Sequence, residues 1–292
     1  MYELIQVAEN SFYMDCPVKV GFFKTGKDEV VIIDSGSDKD AGKKVKRILD
    51  SQGWKLNAIY NTHSHADHIG GNYYLQSQTG CRIFANDIES AVTEFPVLEP
   101  AMLYGGFPMD GLRNKFLMAH ESVCEKISPD ALPEGLEIIP LPGHTFSMVG
   151  FRTSDNVVFL ADCLSGADTL EKYHITYLYD VQAYLDTLDM VRQMQADCFV
   201  PSHAPQTSDI APLAEYNIKK TLETAEQIKA YLTEPLTLDE LLARVFDGYG
   251  MAMNLQQRML IGSTVKSYLS YLKGLNQADY SFTDNRMLWF SL

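Results

Sequence analysis

The sequence predicts a layered α/β protein, on three observations. Short Val- and Ile-rich runs alternate with amphipathic helical stretches through the first 85 residues and resume after residue 134. Several of these runs end in a histidine or an aspartate, and strand ends are where layered α/β folds gather their chemistry. At 292 residues, with 46% hydrophobic and 21% charged side chains, the chain can bury a sizeable core and has ordinary globular composition.

Taken in order, residues 2–14 and 18–26 suit two antiparallel strands joined by Asp15-Cys16-Pro17. Glu29 to Ile33 is an apolar strand buried on both faces, ending in Asp34 and a glycine turn. Ala41 to Trp54 carries Val45, Ile48 and Leu49 among lysines at helical spacing. Leu56 to Tyr60 is a second buried strand, and Cys81 to Ala85 a third. Residues 87–134 are rich in Phe, Met and Leu but broken by Gly105-Gly106 and Pro108, which predicts an insertion of irregular helices over the active face. A dimer contact is the other use of such a surface.

Strand signals resume at Leu136 to Leu141, followed by the turn Pro142-Gly143-His144-Thr145. Met148 to Arg152 and Val157 to Asp162 form a hairpin about Ser154-Asp155-Asn156. Ala183 to Met194 is helical, and Cys198 to His203 is a short strand delivering one more histidine. The tail has a helix over Leu213 to Thr233 and a capping box at Thr237 and Glu240. A second helix follows over Gln256 to Leu275, then a two-stranded ribbon around Thr283-Asp284-Asn285.

The densest chemistry is Asn61-Thr62-His63-Ser64-His65-Ala66-Asp67-His68-Ile69-Gly70-Gly71, with three of the seven histidines and a carboxylate inside six residues. His63 and His65 are two apart, so an extended segment points both imidazoles to one side. Asp67 and His68 begin a helix and approach the same point from a second direction. Imidazole and carboxylate are ligands for zinc and related divalent ions. Four such residues exceed the needs of one catalytic ion, which predicts two metals completed from elsewhere. His144, Asp162 and His203 are the remaining candidates at strand ends.

Composition limits the partners. With 24 basic against 38 acidic residues, net charge -14, the protein repels polyanions, so nucleic acid is not an expected ligand. Five cysteines without a Cys-x-x-Cys pair read as reduced thiols, Cys163 among them as a small buried side chain. The first residues lack a basic, then apolar, leader pattern, and no apolar run approaches 18 residues. A soluble cytoplasmic protein acting on a small molecule, without a membrane partner, is the expectation.

The His-x-His-x-Asp-His run, the Pro-Gly-His-Thr turn, the strand ending Phe159-Leu160-Ala161-Asp162 and the closing Pro201-Ser202-His203 resemble the metallo-β-lactamase-fold hydrolases, including glyoxalase II-like members. The resemblance implies a four-layered αβ/βα sandwich over residues 1–207 with the insertion at 87–134. It also implies a two-metal site, zinc first, with iron or manganese open. His63, His65 and His144 would hold one ion and Asp67, His68 and His203 the other, with Asp162 bridging. Asp34 would support the ligand loop without binding metal, and Thr145 would lie just behind the ligands. Asp67 and Asp162 would hold the ion pair that presents hydroxide to a small acyl substrate, a thioester, ester or lactone.

Some features depart from the family pattern. His144-Thr145 runs into Phe146-Ser147-Met148 where Pro-Gly-Ser is common, and no ligand position is a cysteine as in several true β-lactamases, so antibiotic hydrolysis is not favoured. Lys172 and Tyr173, with Tyr177 and Tyr179 beyond, lie near, at imperfect spacing, the places where glyoxalase II-type enzymes hold glutathione. Together with Tyr104 and Phe107 of the insertion they are the candidate substrate contacts. Residues 208–235 form a connecting helix, and 236–292 resemble the winged-helix domain of one branch of the family. That domain carries five basic and five acidic residues, which suits packing on the catalytic domain or on a second subunit of a homodimer better than DNA. The competing activities are a nuclease or phosphodiesterase of the same fold and a mononuclear iron sulfur dioxygenase.

Overall fold

The computed structural model describes residues 2–292. Its first sheet has seven strands in sequence order: β1 (Glu3–Gln6), β2 (Ser11–Asp15), β3 (Val20–Lys24), β4 (Glu29–Ile33), β5 (Lys55–Tyr60), β6 (Arg82–Ala85) and β7 (Glu125–Lys126). The first four pair antiparallel and the rest parallel. The parallel crossovers are made by α1 (Lys39–Gln52), by α2 (Ala66–Ile69) with α3 (Asn72–Thr79), and by the insertion. The second sheet, in order β11-β10-β9-β8, contains β8 (Leu136–Pro140), β9 (Val149–Thr153), β10 (Val157–Ala161) and β11 (Cys198–Pro201).

Strand alternation builds the layers. In β3 and β4, Phe22, Val30 and Ile32 face α1 and α3, meeting Val45, Leu49 and Leu75. Their neighbours Phe23, Val31 and Ile33 point the other way, against Phe151, Val157 and Phe159 of the second sheet. The outer face of that sheet packs Val158, Leu160 and Phe199 against α7 (Val181–Val191) and α8 (Ala211–Tyr231). Helix, sheet, sheet and helix are the four layers. Each fully buried Val, Ile or Phe contributes about 1.5–3 kcal/mol to the stack.

Asp38 starts α1 two residues before the expected Ala41, because its carboxylate caps the amides of Asp40 and Ala41. The expected single strand over residues 2–14 is two strands, β1 and β2. Val7 and Ala8 donate to the Ser11 carbonyl in a turn whose signal is only Glu9-Asn10, and Asp155 holds the Asn10 amide at 2.6 Å. The helix α6 (Ala167–Tyr173) was not predicted, since Leu170 is its single buried residue.

The insertion contains α4 (Asp87–Glu94), α5 (Leu98–Tyr104) and a 3-10 turn at Asp110–Leu112, and its end forms edge strand β7. Arg82 braces that edge with a two-pronged contact to Glu125 at 2.8 and 2.6 Å. The C-terminal region is α9 (Leu238–Gly248), α10 (Leu255–Gly274) and the hairpin β12 (Ala278–Thr283) with β13 (Arg286–Ser291). The capping box at Thr237 and Glu240 is present. Leu236 bridges Trp289 antiparallel, and Leu255, Met259 and Leu260 of α10 pack on Leu103, Leu112 and Leu117 of the insertion. Among the described residues no helix is long and apolar enough to cross a membrane.

Candidate metal centre

Four strand ends aim at one point. After β5 the chain runs extended through His63 and His65 and then turns into α2, presenting Asp67 and His68. The turn after β8 adds His144, the end of β10 adds Asp162 through Ala161 at φ +51°, and the end of β11 adds His203. The loop can fold this tightly because the Cα of Gly71 lies against the backbone of Ser35 and Gly42. A Cβ there would fall inside the Ser35 carbonyl oxygen.

Three sets of ligand atoms converge within 4.8 Å: His63, His65 and His144; His63, His68 and Asp162; and Asp67, His68 and His203. His65 Nδ1 lies 3.1 Å from His63 Nε2 and 3.0 Å from His144 Nε2. Nitrogens on one tetrahedral ion at ~2.0–2.1 Å stand roughly 3.3 Å apart, so this trio is close to a ready-made face. Asp162 sits between the groups, with Oδ1 3.2 Å from His68 Nε2 and Oδ2 3.2 Å from His203 Nε2 and 3.6 Å from His144 Nε2. Asp67 Oδ2 is 3.7 Å from His203 Nε2.

The donor set fits divalent metal. His68 Nε2 and Asp162 Oδ1 are buried without a hydrogen-bond partner, a costly state that a cation between them would relieve. Burial, then neighbouring imidazoles, hold His63 and His65 well below the usual histidine range; His144 is lowered too, chiefly by burial. These rings therefore present bare lone pairs at neutral pH. Burial opposes charge on His68 as well, but Asp162, Asp34 and Asp67 together outweigh it and raise that ring well above its usual value. For Asp162, burial pushes upward, and His203 and His68 overcome it to hold the carboxyl well below the ordinary range.

Outer contacts fix the rings. Asp34, in the left-handed region at φ +61°, accepts from the Thr62 amide and hydroxyl at 2.8 Å each and faces His68 Nδ1 at 2.8 Å. Because the Thr62 hydroxyl gives its proton to Asp34, it accepts from His63 Nδ1 at 3.0 Å, leaving Nε2 free. The Tyr177 carbonyl does the same for His144 Nδ1 at 3.0 Å. Thr145 donates at 2.7 Å to a residue the sequence reading missed, Glu89. This fully buried carboxylate also accepts from the Ser64 amide and hydroxyl and from the Ser147 amide, tying the His63–His65 loop to the His144 turn. In the sequence only its place three residues into an amphipathic helix marks it, a signal shared by many solvent-facing glutamates.

A sequence model of the metallo-beta-lactamase superfamily matches residues 13–203. The chain belongs to that superfamily. A hydroxyacylglutathione hydrolase from Rhizobium johnstonii is 32% identical over 114 residues, covering 39% of this chain and 36% of that protein. A linear primary-alkylsulfatase from Pseudomonas sp. is 24% identical over 255 residues, 74% of this chain and 48% of that protein. The chain thus spans less than half the length of these curated relatives. A solved beta-lactamase domain protein from Burkholderia ambifaria shares the fold across 99% of this chain and 94% of its own, at TM-score 0.75 and 16% identity.

A cleft beside the ligands, about 380 Å³, is lined by Asp67, His144 and Asp162 and by Phe116, Leu117, Tyr177 and Leu260. Tyr104, Phe107, Lys172 and Tyr173 lie elsewhere. Phe107 is 76% exposed with Arg113 over its ring, and Tyr104 is exposed at the end of α5. Lys172 lies over the exposed Tyr173 ring on α6, and neither residue lines the cavities beside the ligands. Tyr177, four positions on, lines both. His120 stacks on Tyr73 and His174 on Tyr249, both outside the cluster. Cys163 is buried, which pushes its thiol far up and leaves it unreactive.

Proposed function

We propose that the protein is a dinuclear metal-dependent hydrolase of a small acyl substrate, a thioester, ester or lactone. The observation that carries this reading is the convergence of seven ligand-type side chains beside a cleft whose far wall is apolar. His63, His65 and His144 would hold one ion, Asp67, His68 and His203 the other, with Asp162 shared; zinc is the first expectation and iron or manganese the alternatives. Divalent ions held there would supply Lewis acidity towards an acyl oxygen and a water whose pKa is lowered towards ~7.

The chain's own part is positioning. Thr62 and the Tyr177 carbonyl hold the Nδ1 protons of His63 and His144, so these rings face the centre through an unprotonated nitrogen, while Asp34 orients His68 through its Nδ1 and a bound cation would take the place of the proton on its Nε2. Asp67 and Asp162 supply the negative charge that lets two dications sit together. Leu117, Tyr177 and Leu260 give one side of the cleft a largely apolar lining. Similarity to hydroxyacylglutathione hydrolases over part of the chain supports the thioester member of the class.

Phosphodiester chemistry on nucleic acid is disfavoured by the chain's net charge of -14, which repels a polyanion. A second reading, sulfate-ester hydrolysis, rests on the similarity to the alkylsulfatase across most of this chain. Metal analysis joined to a panel of thioesters, esters, lactones, alkyl sulfates and phosphodiesters separates these. Two equivalents of metal with acyl turnover is the expected result. A single iron with oxygen uptake would replace the hydrolase by the dioxygenase reading.

A further inference from the structure

Two cavities meet beside the metal centre. His65, Glu99 and Tyr177 line both the cleft over the ligands and a smaller arm of about 230 Å³. The arm is otherwise walled by Ile88, Val92, Leu98, Met102 and Phe146. Its volume equals roughly seven or eight water-sized groups, enough for a chain of about six carbons or a phenyl ring with a short linker. Such a wall selects an apolar group.

Glu99 is out of place in that lining. The residue is 8% exposed, and its one ion-pair neighbour is His65 Nε2 at 3.9 Å, beyond hydrogen-bond reach. No described residue donates a hydrogen bond to its carboxyl, whereas the other polar side chains of the arm, Ser64 and Thr145, both give their protons to Glu89. Glu99 thus presents its carboxyl to the cavity, where a donor carried by the occupant would meet an acceptor that has no partner among the described residues.

We infer that Glu99 is a specificity residue: the acyl half of the substrate fills the smaller arm with an apolar group and carries, one or two atoms from the scissile carbonyl, a hydroxyl or ammonium that donates to the Glu99 carboxyl. The placement follows from His65, which borders Glu99 through Nε2 and the ligand cluster through Nδ1. A donor contacting Glu99 is therefore about one imidazole's width from the reacting carbonyl. The inference rests on the acyl-hydrolase reading above.

The test compares hexanoyl, α-hydroxyhexanoyl and α-aminohexanoyl thioesters on the metal-loaded wild type, Glu99→Leu and Glu99→Gln. The wild type should prefer a donor-bearing substrate by on the order of 10- to 100-fold in kcat/KM. Glu99→Leu should abolish that preference, bringing the three thioesters to similar kcat/KM. Glu99→Gln should keep it for the hydroxyl and lose it for the ammonium, and the wild type decides which donor is native. Calorimetry of hexanoate against its α-hydroxy and α-amino acids reads the same preference without turnover. Equal kcat/KM and equal binding across the wild-type series overturns the inference. So does a Glu99→Leu variant that loses metal affinity in chelator competition yet keeps the donor preference, for then Glu99 serves His65 alone. Tighter binding of a donor-bearing acid that Glu99→Leu removes, with no acyl turnover, would sustain the subsite and remove the hydrolase reading.

Discussion

Replacing Glu89 by Gln tests whether the two ligand loops of the first histidine trio are held as one unit. The carboxylate accepts four hydrogen bonds: Ser64 amide 3.0 Å and hydroxyl 2.6 Å on one oxygen, Thr145 hydroxyl 2.7 Å and Ser147 amide 3.0 Å on the other. Gln keeps one accepting oxygen and turns an NH2 toward the other pair. A hydroxyl can rotate to accept from it, but a backbone amide cannot, so one buried N–H is orphaned. That costs about 1–3 kcal/mol. Loss of the shared anchor should also loosen the spacing of His63 and His65 against His144, weakening metal binding by roughly 10- to 100-fold. Glu89→Ala orphans both amides and costs about 3–5 kcal/mol, a large share of a typical domain's stability, so Gln is the informative variant. Urea unfolding of the metal-free protein gives the first quantity and competition with a coloured chelator the second. Wild-type stability and wild-type metal affinity in Glu89→Gln would refute the staple.

Asp162→Asn should lower metal loading and turnover together, read by metal analysis and the acyl panel; full activity with two ions bound would exclude a shared ligand at this position. Gly71→Ala drives a methyl into the Ser35 carbonyl and should destabilise by about 3 kcal/mol, measured by thermal unfolding. For Glu99, burial first, then Asp67 and Glu89, raise the folded carboxyl well above its ordinary value. Below the unfolded value the group is protonated in both states and contributes nothing; as pH rises through the window up to the raised value, stability is lost. Metal-free Glu99→Gln should therefore be more stable than wild type at neutral pH and match it in acid. A constant difference across pH would count against an ionising Glu99.

How much could be read in advance divides by the range of the interaction. The buried strands, the helix after Asp38, the capping box and the ordered ligand motifs are local patterns of alternation, capping and spacing, and the residues converge where those patterns placed them. Asp34 takes its contacts with Thr62 and His68 because a carboxylate at a buried strand end has few other ways to be satisfied. What faces the cleft is a matter of longer range. Lys172-Tyr173 and Tyr104-Phe107 are near the site along the chain, yet all four side chains are exposed.

The sequence alone determined the type and spacing of the ligand-type side chains, since four of them are written within six consecutive residues and β8, β10 and β11 each carry one more to the same edge. Only the tertiary structure decided what surrounds it. Glu89 and Glu99 lie on neighbouring helices of the insertion and look alike as sequence, but packing gives one four donors and leaves the other facing a cavity. Leu260 reaches the cleft from the C-terminal region, nearly two hundred residues beyond His65, because α10 docks on the insertion. Such long-range burial depends on how apolar faces find one another in three dimensions, and no periodicity within a single segment encodes that choice.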